Sequence, residues 1–308
     1  MENSAYKGLY ISKLTLGTVQ LGMDYGIANK KGKPQKEESW ALLRCALASG
    51  AITLDTARHY GSEEVIGESG LAGQFTIVSK FKLNESHLQS LELALEEARR
   101  SVLSSCKDLN INALPVCLFH QDKGSPMGLV AKILPAILTQ LKKEGLIKIG
   151  GISVYYPEEL NEITDWDSIQ AVQVPMNVFD LRLLKNGLLQ RLEQNGTAVF
   201  IRSVFLQGLL LMRADALPPH LVWARKYLEQ LNTLAMESGM NVAQLAFSYV
   251  RDTQGVTSLV IGAENADQVK QNMAMLNGPA VPAATRSAIE TLFSEVPEKL
   301  ITPGLWSV

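Results

Sequence analysis

Metal-type and redox-type spacing is absent from this 308-residue chain. The four histidines, His59, His87, His120 and His220, form no HxH or HExxH pattern, which disfavours metal chemistry. The three cysteines, Cys45, Cys106 and Cys117, lie 61 and 11 residues apart with no CxxC, so free thiols in a reducing compartment are expected. Charge of one sign is missing too: 29 Lys and Arg face 31 Asp and Glu, a net −2 with pI ≈ 6.1, which argues against a nucleic-acid partner. No apolar run is long enough to cross a bilayer, and the first residues, MENSAYKGLYISK, lack an apolar signal core. The expectation is a cytoplasmic protein with no membrane partner. No Pro/Gly/Ser-rich linker, repeat or low-complexity stretch divides the chain, so residues 1–308 are expected to form a single domain. Aromatic residues are scarce at 6%, but 46% of the residues are hydrophobic, ample for a large core.

Eight strand-like apolar runs are present: LTLGTV, AITLDTA, FTIVSKF, PVCLFHQ, KIGGISV, AVQVPMN, AVFIRSV and SLVIGA. Between them stand helix-period segments such as EESWALLRCALASG, LQSLELALEEARRSVLSSC, LPAILTQLKKEG and LRLLKNGLLQRLEQNG, several ending on Gly. Asn84 is expected to cap the third helix and Asn265 the helix after SLVIGA. Eight β-then-α units without a break favour a closed (β/α)8 TIM barrel over an open doubly wound sheet. Three additions are expected. A hairpin spans residues 5–14 across the barrel bottom, an extra helix (NVAQLAFSYVRD) precedes the eighth strand, and ATRSAIETLFSEV forms a C-terminal helix.

Asp55, Tyr60, Lys80 and His120 ride the ends of successive runs, at gaps of 5, 20 and 40 residues. In a barrel, such positions converge on one rim. A free phenol is a poor acid near neutrality. The ammonium is expected to lower the phenol's pKa, the carboxylate to hold the ammonium charged, and a neutral imidazole to donate to a substrate oxygen. The set suits proton delivery to a carbonyl becoming an alkoxide. Taken singly, each residue reads as a turn, rim or packing group; order, placement and apolar approach together carry the inference.

The stretches LGTVQLG, LDTARHYGSEEVIG, IVSKF, LFHQD, IGGISV, QVPMN, FLQGLL and VIGAENADQVKQN resemble the aldo-keto reductase superfamily, in order, roughly from Leu14 to Leu276. The resemblance implies a (β/α)8 barrel that binds NADPH or NADH in extended form without a Rossmann GxGxxG. It also implies Tyr60 as general acid, tuned by Lys80 and Asp55, with His120 orienting the carbonyl. Gly17 and Thr18 match the nicotinamide end, and Ser153 and Gln173 match residues that hold the carboxamide. Ser203, Gln207, Gly208 and Leu209 match the loop over the pyrophosphate. Gly262, Ala263, Glu264, Gln268 and Asn272 match the adenosine segment, where a helix N-terminus also favours an anion.

Three departures from the family pattern stand out. Val154 follows Ser153 where Asn is common, which removes one expected carboxamide hydrogen bond. Arg202 stands where an aromatic ring often stacks on the nicotinamide. Glu264 and Gln268 stand where a Lys or Arg often binds the 2′-phosphate, so NADH is expected to bind at least as well as NADPH; Lys270, one turn on, is the residue able to reverse this. For the small-molecule carbonyl substrate, Arg58, His59, Tyr60 and His120 are the candidate contacts. Arg58 with Arg202 would favour anionic or sugar-derived compounds, and Tyr25, Tyr155, Tyr156 and Phe179 are candidate pocket walls. The long MDYGIANKKGKP loop reads as a mobile flap. A competing reading is a nicotinamide-binding redox sensor with little or no turnover. A Schiff-base isomerase or lyase using Lys80 is disfavoured by Asp55.

Overall fold

Side chains alternating in and out along eight short parallel strands close a barrel in this computed structural model, which describes residues 3–27, 29, 31–122 and 124–306. The barrel strands are β3 (Leu14–Gly17), β4 (Thr53–Asp55), β5 (Thr76–Phe81), β6 (Leu114–His120), β7 (Ile147–Ser153), β8 (Ala171–Pro175), β9 (Ala198–Arg202) and β10 (Ser258–Gly262), with β10 pairing β3 to complete the circle. All eight expected runs therefore form strands. The strands are nearly continuous in apolar character because each is covered on both faces. Val78, Val116, Leu118, Ile149, Ala171, Ala198 and Phe200 fill the inside, while residues such as Leu54, Ile77, Phe119 and Ile152 pack outward against the helices.

The hairpin β1 (Asn3–Tyr6) and β2 (Leu9–Ser12) plugs the bottom, as its two β-prone pieces around Gly8 suggest. Leu9 and Ile11 join the interior cluster, each such burial being worth roughly 1.5–3 kcal/mol. The Tyr6 hydroxyl lies between the Gln170 and Gly196 carbonyls, which share its one proton, and the Ser12 amide donates to Thr53 Oγ1. With the hairpin across the bottom, the interior opens at the rim of the strand C-termini.

Beyond the helix Arg225–Glu237 that follows β9, the two extra helices stand at Val242–Arg251 and Ala283–Leu292. Asn265 caps the helix Ala266–Met275 through the Gln268 amide, as its position predicts. Asn84 does not cap the long helix Leu91–Leu109. It closes the short turn at His87–Gln89, and Ser90 supplies the cap instead. The segment LRLLKNGLLQRLEQNG is likewise no single helix: Asn186 and Gly187 take left-handed backbone angles, and a regular helix begins only at Leu188. After β7 a 3-10 stretch, Pro157–Glu162, replaces a full helix.

Candidate active site

An inward position at or near the C-terminal end of each strand supplies one residue to the open rim. In chain order these are Gly17, Asp55, Lys80, His120, Ser153, Gln173, Arg202 and Gly262. Period-two alternation puts them there: Val78 then Lys80 on β5, Leu118 then His120 on β6, Phe200 then Arg202 on β9. Register brings neighbours together, with His120 beside Ser153 and Ser153 beside Gln173. Two adjacent glycines, Gly17 and Gly262, leave the ring open on one side. There a cavity of about 560 Å³ runs outward from Asp55 and Tyr60 to Glu264, Gln268 and Asn272.

Lys80 and Asp55 form a buried ion pair at 2.5 Å. Lys80 Nζ also donates to the Thr56 carbonyl at 2.9 Å, and Gln173 Nε2 donates to Asp55 Oδ2 at 2.6 Å. Ser153 Oγ holds Gln173 from behind at 3.3 Å. Burial pulls the Lys80 ammonium below its usual range, and the Asp55 carboxylate opposes that fall. Tyr60, on the short turn Arg58–Tyr60 after β4, has its ring centroid 5.3 Å from Lys80 Nζ. Its phenol is pushed well above the ordinary 10, by burial first and then by Asp55. This corrects the expectation of a lowered phenol: Asp55 already neutralises the ammonium, so burial decides. Burial, then Lys80, drives His120 well below 6.5 and keeps the imidazole neutral. His120 Nδ1 is buried with no hydrogen-bond partner among the described residues.

The loop after β9 forms the cavity's long wall with backbone that side chains rarely tolerate. Ser203 (φ 63°), Leu206 (φ 50°) and Gln207 (φ 55°) are all left-handed, each costing roughly 1–3 kcal/mol. Asn177 holds this loop by donating to the Ser203 carbonyl at 3.1 Å, while its own Oδ1 accepts from the Phe179 and Asp180 amides. Across the cavity, Tyr25, Gly26 and Asn29 supply the opposite wall, and the Ile27 amide donates to the Gln207 carbonyl at 3.3 Å.

The aldo/keto reductase family matches residues 13–290, nearly the whole barrel. The chain belongs to this family. Among curated relatives, the NADH-specific methylglyoxal reductase of Escherichia coli (strain K12) is 26% identical over 60% of this chain and 61% of that enzyme, so the chain spans about six-tenths of that relative's length. L-galactose dehydrogenase of Arabidopsis thaliana is 24% identical over 94% of this chain and 92% of its own. Among solved structures, the holo form of the aldo-keto reductase AKR11C1 from Bacillus halodurans superposes with a TM-score of 0.73 at 22% identity, covering 97% of this chain and 98% of that one. That likeness is one of fold.

For an aldo-keto reductase, the cavity's lining suits an extended dinucleotide. A Cβ built at Gly262 would meet the Gln20 side chain at 2.3 Å, and Gln20 Oε1 is buried without a partner in the same wall. Of the residues matched by sequence to cofactor positions, Gly17, Thr18, Asp55, Gln173, Arg202, Ser203, Gln207, Gly208, Gly262, Glu264, Gln268 and Asn272 line the cavity. Leu209 and Ala263 are buried behind its wall, and Ser153 touches it only through Gln173. Val154, in place of the usual Asn, donates its amide to the Gln173 carbonyl and accepts from Arg202, so its backbone is fully used.

Arg58 is exposed and stands outside the cavity wall, because the turn before Tyr60 sends it outward. His59 lies edge-on to Tyr60, ring centroids 4.6 Å apart, and 5.0 Å from His120. Tyr25 lines the cavity, and Tyr155 lies under Arg202. Tyr156 and Phe179 instead line a separate hollow of about 500 Å³ beside Arg182 and Phe293, since Phe179 is buried against Phe293 at 4.7 Å. The MDYGIANKKGKP loop is braced: Asp24 Oδ1 accepts from the Lys33 amide and Asn29 Oδ1 from the Gly32 amide, although residues 28 and 30 lie outside the described residues. Sequence reasoning missed Gln20, Asn29, Phe205 and Gln271 in the wall, polar or loop residues with no periodicity to mark them. It also missed Gly22, where a Cβ would fall 1.9 Å from the Tyr60 carbonyl.

Among the described residues no helix is long and apolar enough to cross a membrane, and no three His, Cys, Asp or Glu side chains cluster as metal ligands.

Proposed function

We propose that the protein is an NAD(P)H-dependent reductase of aldehydes or ketones, with Tyr60 as the proton donor. The observation that carries the reading is the placement of Asp55 and Tyr60 in the inner wall of a cavity whose outer end is Glu264, Gln268 and Asn272, with Lys80 paired behind Asp55 and neutral His120 on the rim next to His59, which packs on Tyr60. When bound, a reduced nicotinamide supplies hydride to the carbonyl carbon. Tyr60 gives its phenolic proton to the carbonyl oxygen as negative charge builds there. An alkoxide is a far stronger base than a phenolate, so a phenol held protonated by burial is in the correct state for donation. The Lys80 ammonium, fixed by Asp55 and the Thr56 carbonyl, lies close enough to the ring to stabilise the phenolate left behind. His120, neutral, can donate a hydrogen bond to the same oxygen without adding a competing acid. The tyrosinate then recovers a proton from water.

Gln173, backed by Ser153, suits a carboxamide partner, and Ser203, Gln207 and Gly208 suit the phosphates. For the 2′-position, Glu264 supports NADH: its backbone amide is taken by Gln268 Oε1, and Lys270 is turned to Asp267 at 3.3 Å. An NADH-specific methylglyoxal reductase among the relatives is consistent with that choice. The substrate is a small carbonyl compound, and no nucleic acid or membrane has a part in the reading.

The test is cofactor oxidation by the purified protein with simple aldehydes, aldoses and keto acids, using NADH and NADPH in parallel. Carbonyl-dependent oxidation supports the reductase. Tight dinucleotide binding with no turnover across the panel overturns it in favour of a redox sensor.

A further inference from the structure

Arg202 is the one ring residue whose charge the site itself does not answer. It occupies the last inward position of β9, where its guanidinium lies over the Tyr155 ring at 5.1 Å. One terminal nitrogen donates to the Val154 carbonyl at 3.0 Å and the other to Ser203 Oγ at 3.2 Å. Both acceptors are neutral, and no carboxylate pairs with it among the described residues. Other partly buried arginines are matched by acids: Arg182 by Asp180, Arg251 by Asp252 and Arg286 by Glu290. A guanidinium carries five N–H donors, so two bonds leave three unspent, and the residue lines the cavity that holds Tyr60.

The charge balance at the inner end follows. Lys80 and Asp55 cancel, which leaves Arg202 as a net positive charge. Its field reaches the reacting groups, since it opposes the rise of the Tyr60 and Tyr25 phenols and adds to the fall of His120. A half-buried guanidinium, rigidly anchored and planar, is suited to a two-oxygen anion. A neutral carbonyl compound would leave that cation desolvated and unanswered.

We infer that Arg202 is a specificity residue that binds a carboxylate or phosphate carried by the carbonyl substrate itself. This rests on the reductase reading and narrows it: the preferred substrates are anionic aldehydes or ketones, not neutral ones. Arg202 does this without Arg58, which stands outside the cavity.

The test compares succinic semialdehyde with butanal, a pair differing mainly by a terminal carboxylate, in the wild type, Arg202→Met and Arg202→Lys. The wild type is expected to favour succinic semialdehyde in kcat/KM by roughly tenfold or more, the usual size of a charge-assisted hydrogen bond. In Arg202→Met the ratio collapses toward one, chiefly through KM for the anionic member, and Arg202→Lys restores part of it. A wild-type ratio near one overturns the inference. So does a loss of dinucleotide affinity in Arg202→Met with the substrate ratio intact, which assigns the cation to a cofactor phosphate. Succinate titration by calorimetry, in the presence of the oxidised dinucleotide, is read without turnover. Binding by the wild type and not by Arg202→Met supports the anion site even if the reductase reading fails, and equal behaviour of the two overturns it.

Discussion

Replacing Asp55 with Asn leaves the shape of the site and removes the charge that makes Lys80 tolerable inside the barrel. Lys80 is fully enclosed, and its other hydrogen-bond partner among the described residues is the neutral Thr56 carbonyl. Both short contacts to Asp55 fall on Oδ2, one from Lys80 and one from Gln173, so an Asn also sets an amide nitrogen or a weaker acceptor against two donors. Breaking a buried pair by removing one partner costs roughly 3–5 kcal/mol. For a chain of this size that lowers the melting temperature on the order of 5–8 °C. The pH dependence has a definite sign. Burial already depresses the folded-state pKa of Lys80 below 10.5, and loss of Asp55 depresses it further. The unfolded chain then binds a proton that the folded one does not, so the stability of Asp55→Asn rises with pH up to the unfolded lysine value. Calorimetric melts of Asp55→Asn from neutral to alkaline pH read this directly, and adding Lys80→Met should recover much of the loss. A melting temperature within 2 °C of the wild type, or a double variant no better than Asp55→Asn, would refute the reasoning about a charge pair.

Further outcomes follow from the same geometry. Gly22→Ala should displace the turn carrying Tyr60, because its Cβ lands on the Tyr60 carbonyl and the Ser62 amide; kcat is expected to fall with dinucleotide affinity little changed, as stopped-flow and binding titrations would separate. Asn177→Ala removes the tie to the strained β9 loop and orphans the buried Phe179 amide, while the Asp180 amide keeps the Asn177 backbone carbonyl; stability falls by roughly 1–3 kcal/mol and dinucleotide binding weakens in the same titration. Glu264→Lys should move dinucleotide preference toward NADPH, read as the ratio of dissociation constants, and a tenfold wild-type preference for NADPH would contradict the assignment of Glu264. His120 is a base with a depressed folded pKa, so its contribution to stability is complete above pH 6.5 and is lost as pH falls below that value. Its imidazole signals in an NMR titration should stay those of the neutral ring between pH 6 and 7.

The barrel was legible because parallel strands covered on both faces read as continuous apolar runs, and eight such runs are hard to mistake. The ring at the rim was legible for a related reason. A polar or glycine residue closing an apolar run, as Lys80 closes FTIVSK and Arg202 closes AVFIR, marks the position where the interior meets solvent. What the sequence concealed was the balance of forces among those residues. Opposite charge at short range suggested a lowered Tyr60 phenol, but the amount of burial, which reverses the direction, is a property of the assembled rim. The same holds for Arg58 and Arg202, both arginines beside site residues. Only strand register decides that the second faces the cavity, and the turn before Tyr60 turns the first away. Asn84 and Asn186 show a third limit: short polar residues serve caps, turns and kinks alike, and tertiary packing selects among them.

The central claim is that Tyr60 donates the proton that completes carbonyl reduction, and single-turnover reduction by Tyr60→Phe tests it most directly. With dinucleotide saturating and bound as in the wild type, the rate of carbonyl reduction should fall by about 10²–10⁴-fold, the usual worth of a positioned acid. A Tyr60→Phe protein that binds the dinucleotide and reduces the carbonyl within a few-fold of the wild-type rate would contradict the account.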